Sequence, residues 1–390
     1  MTEHCDLCRS SSLEEAYEPA GSGRGLKIYI CTNCGLVQSL PRRDRAPRRA
    51  AAVSSGADWG NVRYGKGFRT DACLALMRAH ADFREPLRAL DVGSNRGSFA
   101  HAFLKAAPDA TLVCVEPDER VAESCTRLDR AELIRARIED VVLPDESFDV
   151  VHSCHTIEHL ASPGATLEDH WRVLKPGGLL ILDAPNIVLI GDGDMVEEWF
   201  IDKHLYHFSL GTLSAYLKVG GFEIVGKPNP NDRENLLFAA RKIGRSRKGA
   251  RRNTAEVENA HLLIATYALT RARNLLALAE VAAEIAHFAP KRVVLWGAGR
   301  LFDALVQHGH FNPRILAALI DTHLKAHVSE RHGVPLAGPE ALEEANPDVI
   351  VVMSRAFAPE ITRIAKSRVP NAEIVIYADL IQRARQRLAA

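Results

Sequence analysis

Three groups of residues in this 390-residue chain have the types and spacing to do chemistry. The first is Leu90-Asp91-Val92-Gly93-Ser94-Asn95-Arg96-Gly97-Ser98-Phe99, an apolar run, a turn with two glycines, and the start of a second apolar run. Glycines let a backbone pass close to a ligand, and the start of a following helix offers free N–H groups. Glu116 closes the next apolar run, Leu112-Val113-Cys114-Val115, nineteen residues after Gly97. An acid at that place takes a pair of ribose hydroxyls. Strand, glycine turn, helix, strand, acid: this order points to a nucleoside cofactor. The second group is Cys5-x-x-Cys8 and Cys31-x-x-Cys34-Gly35, with 22 residues between the pairs. Each pair can form a knuckle that gives two thiolates to one tetrahedral Zn2+, and a closed four-thiolate site is structural, with no open position for chemistry. His4 is the other donor that could stand in for a cysteine. The third group is His204 and His207, three apart in the aromatic stretch Trp199 to Ser209. An imidazole there could act as a base near neutral pH.

The elements that must hold these groups follow from the apolar periodicity. Leu87–Val92 predicts a strand, Phe99–Ala107 a helix, Leu112–Val115 a strand and Leu179–Leu182 another, the last opened by Leu174-Lys175-Pro176-Gly177-Gly178. Such alternation over residues 59–242 predicts an α/β, doubly wound Rossmann-like core whose ligands sit beyond the carboxyl ends of the strands. Residues 1–40 read as a zinc ribbon, since the stretch from Arg9 to Ile30 has too few apolar residues for a core of its own. Residues 41–58 and 243–254 read as basic linkers. Within the first, Pro41 to Ser55 carries five arginines and two prolines. From 255 to 390 a long Ala/Leu-rich helix, expected to break near Thr270 and stopped by Pro290, leads into a smaller Rossmann-like domain. There Gly297-Ala298-Gly299 follows a strand and Asp321 ends the next one, twenty-two residues after Gly299. Phe302 stands where a dinucleotide fingerprint has its third glycine, so NAD is not expected.

Composition narrows the classes. Hydrophobic residues make up 47% and charged residues 25%, as in soluble globular proteins, and the length suits two or three domains. Formal net charge is zero, so no overall field draws the chain to nucleic acid or to a membrane. No apolar leader or bilayer-length run is present, which sets the expectation of a cytoplasmic protein. In a reducing compartment paired cysteines serve as metal ligands rather than disulfides.

Further motifs specify the nucleoside. Pro144-Asp145-Glu146-Ser147-Phe148-Asp149-Val150-Val151 leads into His155-Thr156-Ile157-Glu158-His159-Leu160, and Leu174-Lys175-Pro176-Gly177-Gly178-Leu179 follows. This succession resembles the class I methyltransferases that use S-adenosylmethionine, over roughly residues 60–240. Asn95 stands at the middle glycine of their Gly-x-Gly-x-Gly turn. The resemblance implies that Asp91 and Gly93, Ser94, Asn95 and Gly97 face the methionine part of the cofactor. Glu116, followed by Pro117, would meet the ribose, and Ile138 and Glu139 would flank the adenine. His155 would face the same crevice, and Tyr64, between glycines, would fold over the cofactor. Glu158 and His159 are expected to orient their loop.

A narrower resemblance covers nearly the whole chain. The ribbon from Cys5 to Gln38, the Gly93-Ser94-Asn95 turn and a C-terminal Gly-Ala-Gly domain are similar to the C-methyltransferases of nucleotide-linked keto-deoxysugars. In that family a Tyr-x-Glu-His element supplies the base, which falls here on Ile201-Asp202-Lys203-His204. The histidine matches, whereas Ile201 and Lys203 replace the tyrosine and the glutamate. The resemblance implies a small-molecule, nucleotide-sugar acceptor, with His204 as base; His207, the second imidazole of the stretch, is expected rather to pack with Ser209 at the start of the next helix. Rival readings are an O- or N-methyltransferase of another metabolite, an RNA methyltransferase, and a non-catalytic binding protein. Zero net charge and the lack of an Asn-Pro-Pro-Tyr element after the fourth strand speak against RNA.

Overall fold

The computed structural model describes residues 3–20, 22–41, 68–118, 125, 127–244, 249–326, 328–355 and 357–389. Tyr64 and nearly all of the first linker lie outside them. The chain divides into two compact units, one drawn from residues 1–52, 64–190 and 200–265, the other from 53–63, 191–199 and 266–390. In this division the cysteine-bearing segment and residues 255–265 join the core in a single unit, and residues 191–199 belong with the C-terminal unit.

The first unit opens with strands β1 (Leu13–Tyr17), β2 (Lys27–Cys31) and β3 (Val37–Leu40), paired antiparallel. Alternation builds β2: Ile28 and Ile30 are buried while Lys27 and Tyr29 are half-buried. A fourth strand comes from far along the chain. β9 (Tyr206–His207) pairs with β3, Val37 opposite His207 and Gln38 opposite Tyr206.

The main sheet has seven strands in the order β10-β11-β8-β7-β4-β5-β6. Its parallel members are β4 (Arg88–Val92), β5 (Thr111–Val115), β6 (Ala131–Ile134), β7 (Phe148–Cys154) and β8 (Leu174–Pro185). The antiparallel pair β10 (Phe222–Gly226) and β11 (Asn235–Lys242) extends it beyond β8. Strand β8 is longer than the Leu179–Leu182 core that its apolar run suggested, because it runs on through an irregular stretch opposite β7, with Gly177 at φ 74°. Helices α1 (Phe68–Arg78), α2 (Ser98–Ala106), α3 (Pro163–Val173) and α4 (Leu210–Val219) accompany the sheet. Helix α2 buries Phe99, Phe103 and Leu104, each worth about 1.5–3 kcal/mol. Ser162 caps α3, with Pro163 in the first turn, and Ser209 with Thr212 forms a capping box on α4. The sheet order reverses at β4, which lies between β5 and β7. In open α/β sheets ligands bind at such a reversal, beyond the carboxyl ends of the strands.

The second unit has six strands, β14-β15-β13-β12-β16-β17, parallel apart from the β14–β15 hairpin. They are β12 (Val293–Trp296), β13 (Ala318–Ile320), β14 (Glu330–Arg331), β15 (Val334–Ala337), β16 (Val349–Val352) and β17 (Glu373–Ile376). Around them lie α6 (Arg300–Gly309), α7 (Ala341–Ala345), α8 (Ala358–Arg368) and α9 (Tyr377–Ala389). Before them runs α5 (Thr254–Ala286), 33 residues without a break, which corrects the expected interruption near Thr270. No glycine or proline falls inside it, and its Ala, Leu and Glu content favours helix throughout.

Candidate active site

The glycine turn is built as a nucleoside site requires. Gly93 and Gly97 have φ of 76° and 72°, and a Cβ on Gly93 would strike the Thr156 hydroxyl of the loop after β7. Asn95 has φ 48°, and asparagine is among the few residues that enter the left-handed region at modest cost. That accounts for its place at the middle of the turn. Its N–H donates to Glu116 Oε2 at 2.9 Å, and the Asp118 N–H donates to Glu116 Oε1 at 2.9 Å. Burial raises the Glu116 carboxyl, while those two backbone N–H groups pull it back. Glu116 thus stands against the turn at the end of β5, with exposed Pro117 after it. Ser94 is buried, with the Cys125 thiol 3.7 Å from its hydroxyl.

Asp91 departs from expectation. It is 1% exposed in β4, with Oδ1 2.7 Å from His152 Nδ1 on the neighbouring strand β7. The His152 ring stacks on Phe99, centroids 3.6 Å apart. Asp91 therefore supports the turn from beneath instead of facing the methionine part of a cofactor. Ile138 and Glu139 lie on a short helical turn after β6. Ile138 is packed into the core with Ile157, while Glu139 Oε1 accepts from the Ala161 N–H at 2.6 Å. His155, at the end of β7, has φ 49° and Nε2 3.0 Å from Asn235 Oδ1; burial holds it neutral, with a pKa of about 3. Behind it buried Arg69 of α1 pairs with Asp183 and, at 2.7 Å, with Asp232.

A second group faces the same loops. His159 Nδ1 donates to the carbonyl oxygen of Lys203 at 2.9 Å, and the Leu205 N–H donates to that of Glu158 at 2.8 Å. These bonds hang the 201–205 segment on the Ile157–His159 turn. His159 thus holds this later segment, whereas the expectation was that it orients its own loop. The His204 ring lies 4.8 Å from that of His159, and burial keeps it neutral with a pKa well below the usual histidine range. His207 sits apart from that pair of rings, where packing is expected of it. It is buried in β9, with Nε2 3.2 Å from the Ser39 hydroxyl and its ring edge-on to Phe200 at 4.7 Å. Its role there is packing.

The four N-terminal cysteines converge. Sγ of Cys5 is 3.5 Å from that of Cys34, Sγ of Cys8 is 3.5 Å from that of Cys31, and all four sulfurs lie within 4.8 Å of one another. Thiolates on a tetrahedral zinc at ~2.3 Å stand about 3.8 Å apart, so the donor set fits that ion. What the sequence did not reveal is how this cluster meets the core. Asp6, between the first two cysteines, accepts from the Ser162 hydroxyl at 2.6 Å, from the Gly164 N–H at 2.9 Å and from the Tyr216 hydroxyl at 2.9 Å. Ser39 donates to the carbonyl oxygen of His204 at 3.1 Å, and Asp202 accepts from the Ser22 hydroxyl and, at 3.1 Å, the Arg24 N–H. No sequence motif signals such contacts, because each joins residues about 156 or more positions apart.

Comparison with known proteins agrees with this geometry. Residues 90–182 match the family model described as a methyltransferase domain. A probable S-adenosylmethionine-dependent methyltransferase of Mycolicibacterium smegmatis is 30% identical over 137 residues, 35% of this chain and 51% of the relative. A ubiquinone/menaquinone biosynthesis C-methyltransferase of Dinoroseobacter shibae is 34% identical over 106 residues, 25% of this chain and 42% of the relative. The chain spans about half, or less, of the length of these curated relatives. Among solved structures, the 1,6-didemethyltoxoflavin-N1-methyltransferase of Burkholderia thailandensis is matched over its full length and 58% of this chain, with 15% identity and a TM-score of 0.39. The chain thus carries a class I S-adenosylmethionine-dependent methyltransferase domain. Among the described residues no helix is long and apolar enough to cross a membrane.

Proposed function

We propose that this protein transfers the methyl group of S-adenosylmethionine to a carbon of a small-molecule acceptor, a nucleotide-linked keto-deoxysugar. One observation carries the reading. A neutral imidazole, His204, is held by the loop that follows β7, the strand beside the glycine turn. When bound, S-adenosylmethionine supplies the methyl as an electrophile on a sulfonium. Glu116 takes the ribose hydroxyls, the Gly93–Gly97 turn the methionine part, and Ile138 and Glu139 the adenine. His204 removes a proton from the carbon beside the sugar ketone and leaves an enolate. Zinc on Cys5, Cys8, Cys31 and Cys34 is structural.

The test uses an acceptor deuterated at the carbon beside its ketone. Mass spectrometry should show a product heavier by one methyl-for-deuterium exchange. Retention of the deuterium in a methylated product would move the reaction to oxygen or nitrogen and overturn the carbon assignment.

Two substitutions separate the cofactor site from its support. Glu116→Ala is expected to weaken S-adenosylmethionine binding by ~1.5–3 kcal/mol in calorimetry, as for a lost hydrogen bond to a charged group. Asp91→Ala should instead lower Tm, because His152 would be left buried without its partner at a cost of ~1–3 kcal/mol. Equal melting curves for Asp91→Ala and the unmodified protein would refute that.

A further inference from the structure

Glu158 is 1% exposed, and among the described residues neither carboxyl oxygen has a hydrogen-bond partner. Two imidazoles face its Oε1, His155 through Nδ1 at 3.8 Å and His159 through Nε2 at 3.7 Å. Both tautomers are fixed from behind. The Asn235 amide nitrogen donates to Asp232 at 2.9 Å and 3.2 Å, so its oxygen accepts, and His155 Nε2 carries the hydrogen. His159 Nδ1 must carry its hydrogen to reach the Lys203 carbonyl oxygen at 2.9 Å. Lone pairs are therefore what both rings turn toward Glu158. His204 completes the group: its ring nitrogen, that of His159 and a Glu158 oxygen lie within 4.8 Å of one another. A buried carboxylate facing lone pairs is repelled, so the group holds a proton, and the carboxyl is its seat. Burial indeed pushes Glu158 up to about 8.

We propose that Glu158 is a positioning residue for His204: once ionised, it is the counter-ion of the imidazolium that forms when His204 takes a proton from the acceptor. This rests on His204 being the base. The balance is simple. The acceptor C–H bond breaks, its proton goes to His204, and its electron pair forms the bond to the transferred methyl. The sulfonium–methyl bond of the donor breaks as that bond forms, and the proton held on His204 leaves for water at the end of the cycle. The charged and titratable groups facing Glu158 are His155 and His159 from its own segment, and Lys203 and His204 from the loop laid against it. His207 and, behind His155, Asp183 lie further off.

The test is the pH profile of Glu158→Gln in the full chain. In the unmodified protein kcat should rise from pH ~7 to ~9, as Glu158 ionises and the imidazolium finds its counter-ion ready. Glutamine keeps the shape but carries no charge, so Glu158→Gln should lose about tenfold or more in kcat and show a flat profile. Cofactor affinity and Tm should hold, and Glu158→Asp should restore part of the alkaline rise. Normal kcat and profile in Glu158→Gln, alongside an inactive His204→Ala, would overturn the proposal while leaving the base in place. Full activity in His204→Ala would instead show that the base assignment beneath it had failed. A second metal ion per chain that vanishes in Glu158→Gln would also overturn it, by placing a cation where the proton is assigned.

Discussion

Stripping zinc from the protein, or changing Cys31→Ser, is expected to unfold strands β1 to β3 and to abolish methyl transfer while S-adenosylmethionine still binds. The N-terminal segment has few apolar residues of its own, so metal binding supplies the folding free energy, typically ~10–16 kcal/mol for structural zinc. Its loss reaches the acceptor side directly, since Ser39 holds the His204 carbonyl and β3 pairs with β9. Asp6 would at the same time release Ser162, Gly164 and Tyr216. The contacts of Glu116 with the Asn95 and Asp118 N–H groups lie within the β4–β5 end of the sheet, so the cofactor turn should be spared. Elemental analysis should find one zinc per chain. Protein purified without chelators that contains none, or that keeps full turnover after chelation, would refute the assignment.

His204→Ala should lower turnover by ~10²–10⁴-fold, the worth of a positioned base, with cofactor affinity and Tm unchanged. His204→Gln should be as inactive, because an amide can hydrogen-bond but cannot take a proton at neutral pH. The pH dependence has a definite sign. A base must be unprotonated to act, and burial, with His159, Lys203, His207 and His155 nearby, holds His204 below the usual range. In Glu158→Gln, where no carboxyl titrates beside the ring, activity should therefore persist as pH falls through 6.5. A loss of activity centred at or above that value in this variant would show that another group is the base. Wild-type turnover in His204→Ala would point to an oxygen or nitrogen acceptor that needs none.

Much of the first unit was legible in the sequence because its signals are local. The glycine turn, the acid nineteen residues on and the apolar runs each lie within a few dozen positions, and the structure sets them on neighbouring strands. Asn95 looked like a departure and proved to be a residue suited to its φ of 48°. Asp91 and His207 show where such local signals stop. Residue type says what a side chain can do, whereas cross-strand neighbours decide what it faces, and His152 and Ser39 took them. Glu158 read as a loop residue because nothing in a His-Thr-Ile-Glu-His stretch says that its carboxyl is sealed among imidazoles. The unbroken α5 shows the opposite error, a break assigned where the residues themselves carry no breaker.

The pairing of β3 with β9 also bears on how the chain is made. Ser39 and His207 are 168 positions apart, so their sheet closes a very long loop. Contacts of such high order form late, because the entropy of closing the loop is spent before they return anything. All four cysteines leave the ribosome long before Tyr206 exists. The thiolates can therefore gather zinc early, yet their sheet stays one strand short until the core strands β4 to β8 have been synthesised. Through that interval β3 presents an unpaired edge, the kind of surface that invites pairing with another chain. Slow synthesis or a destabilised core should thus show first as association through the N-terminal strands, and supplying free β9-sequence peptide during refolding should suppress it.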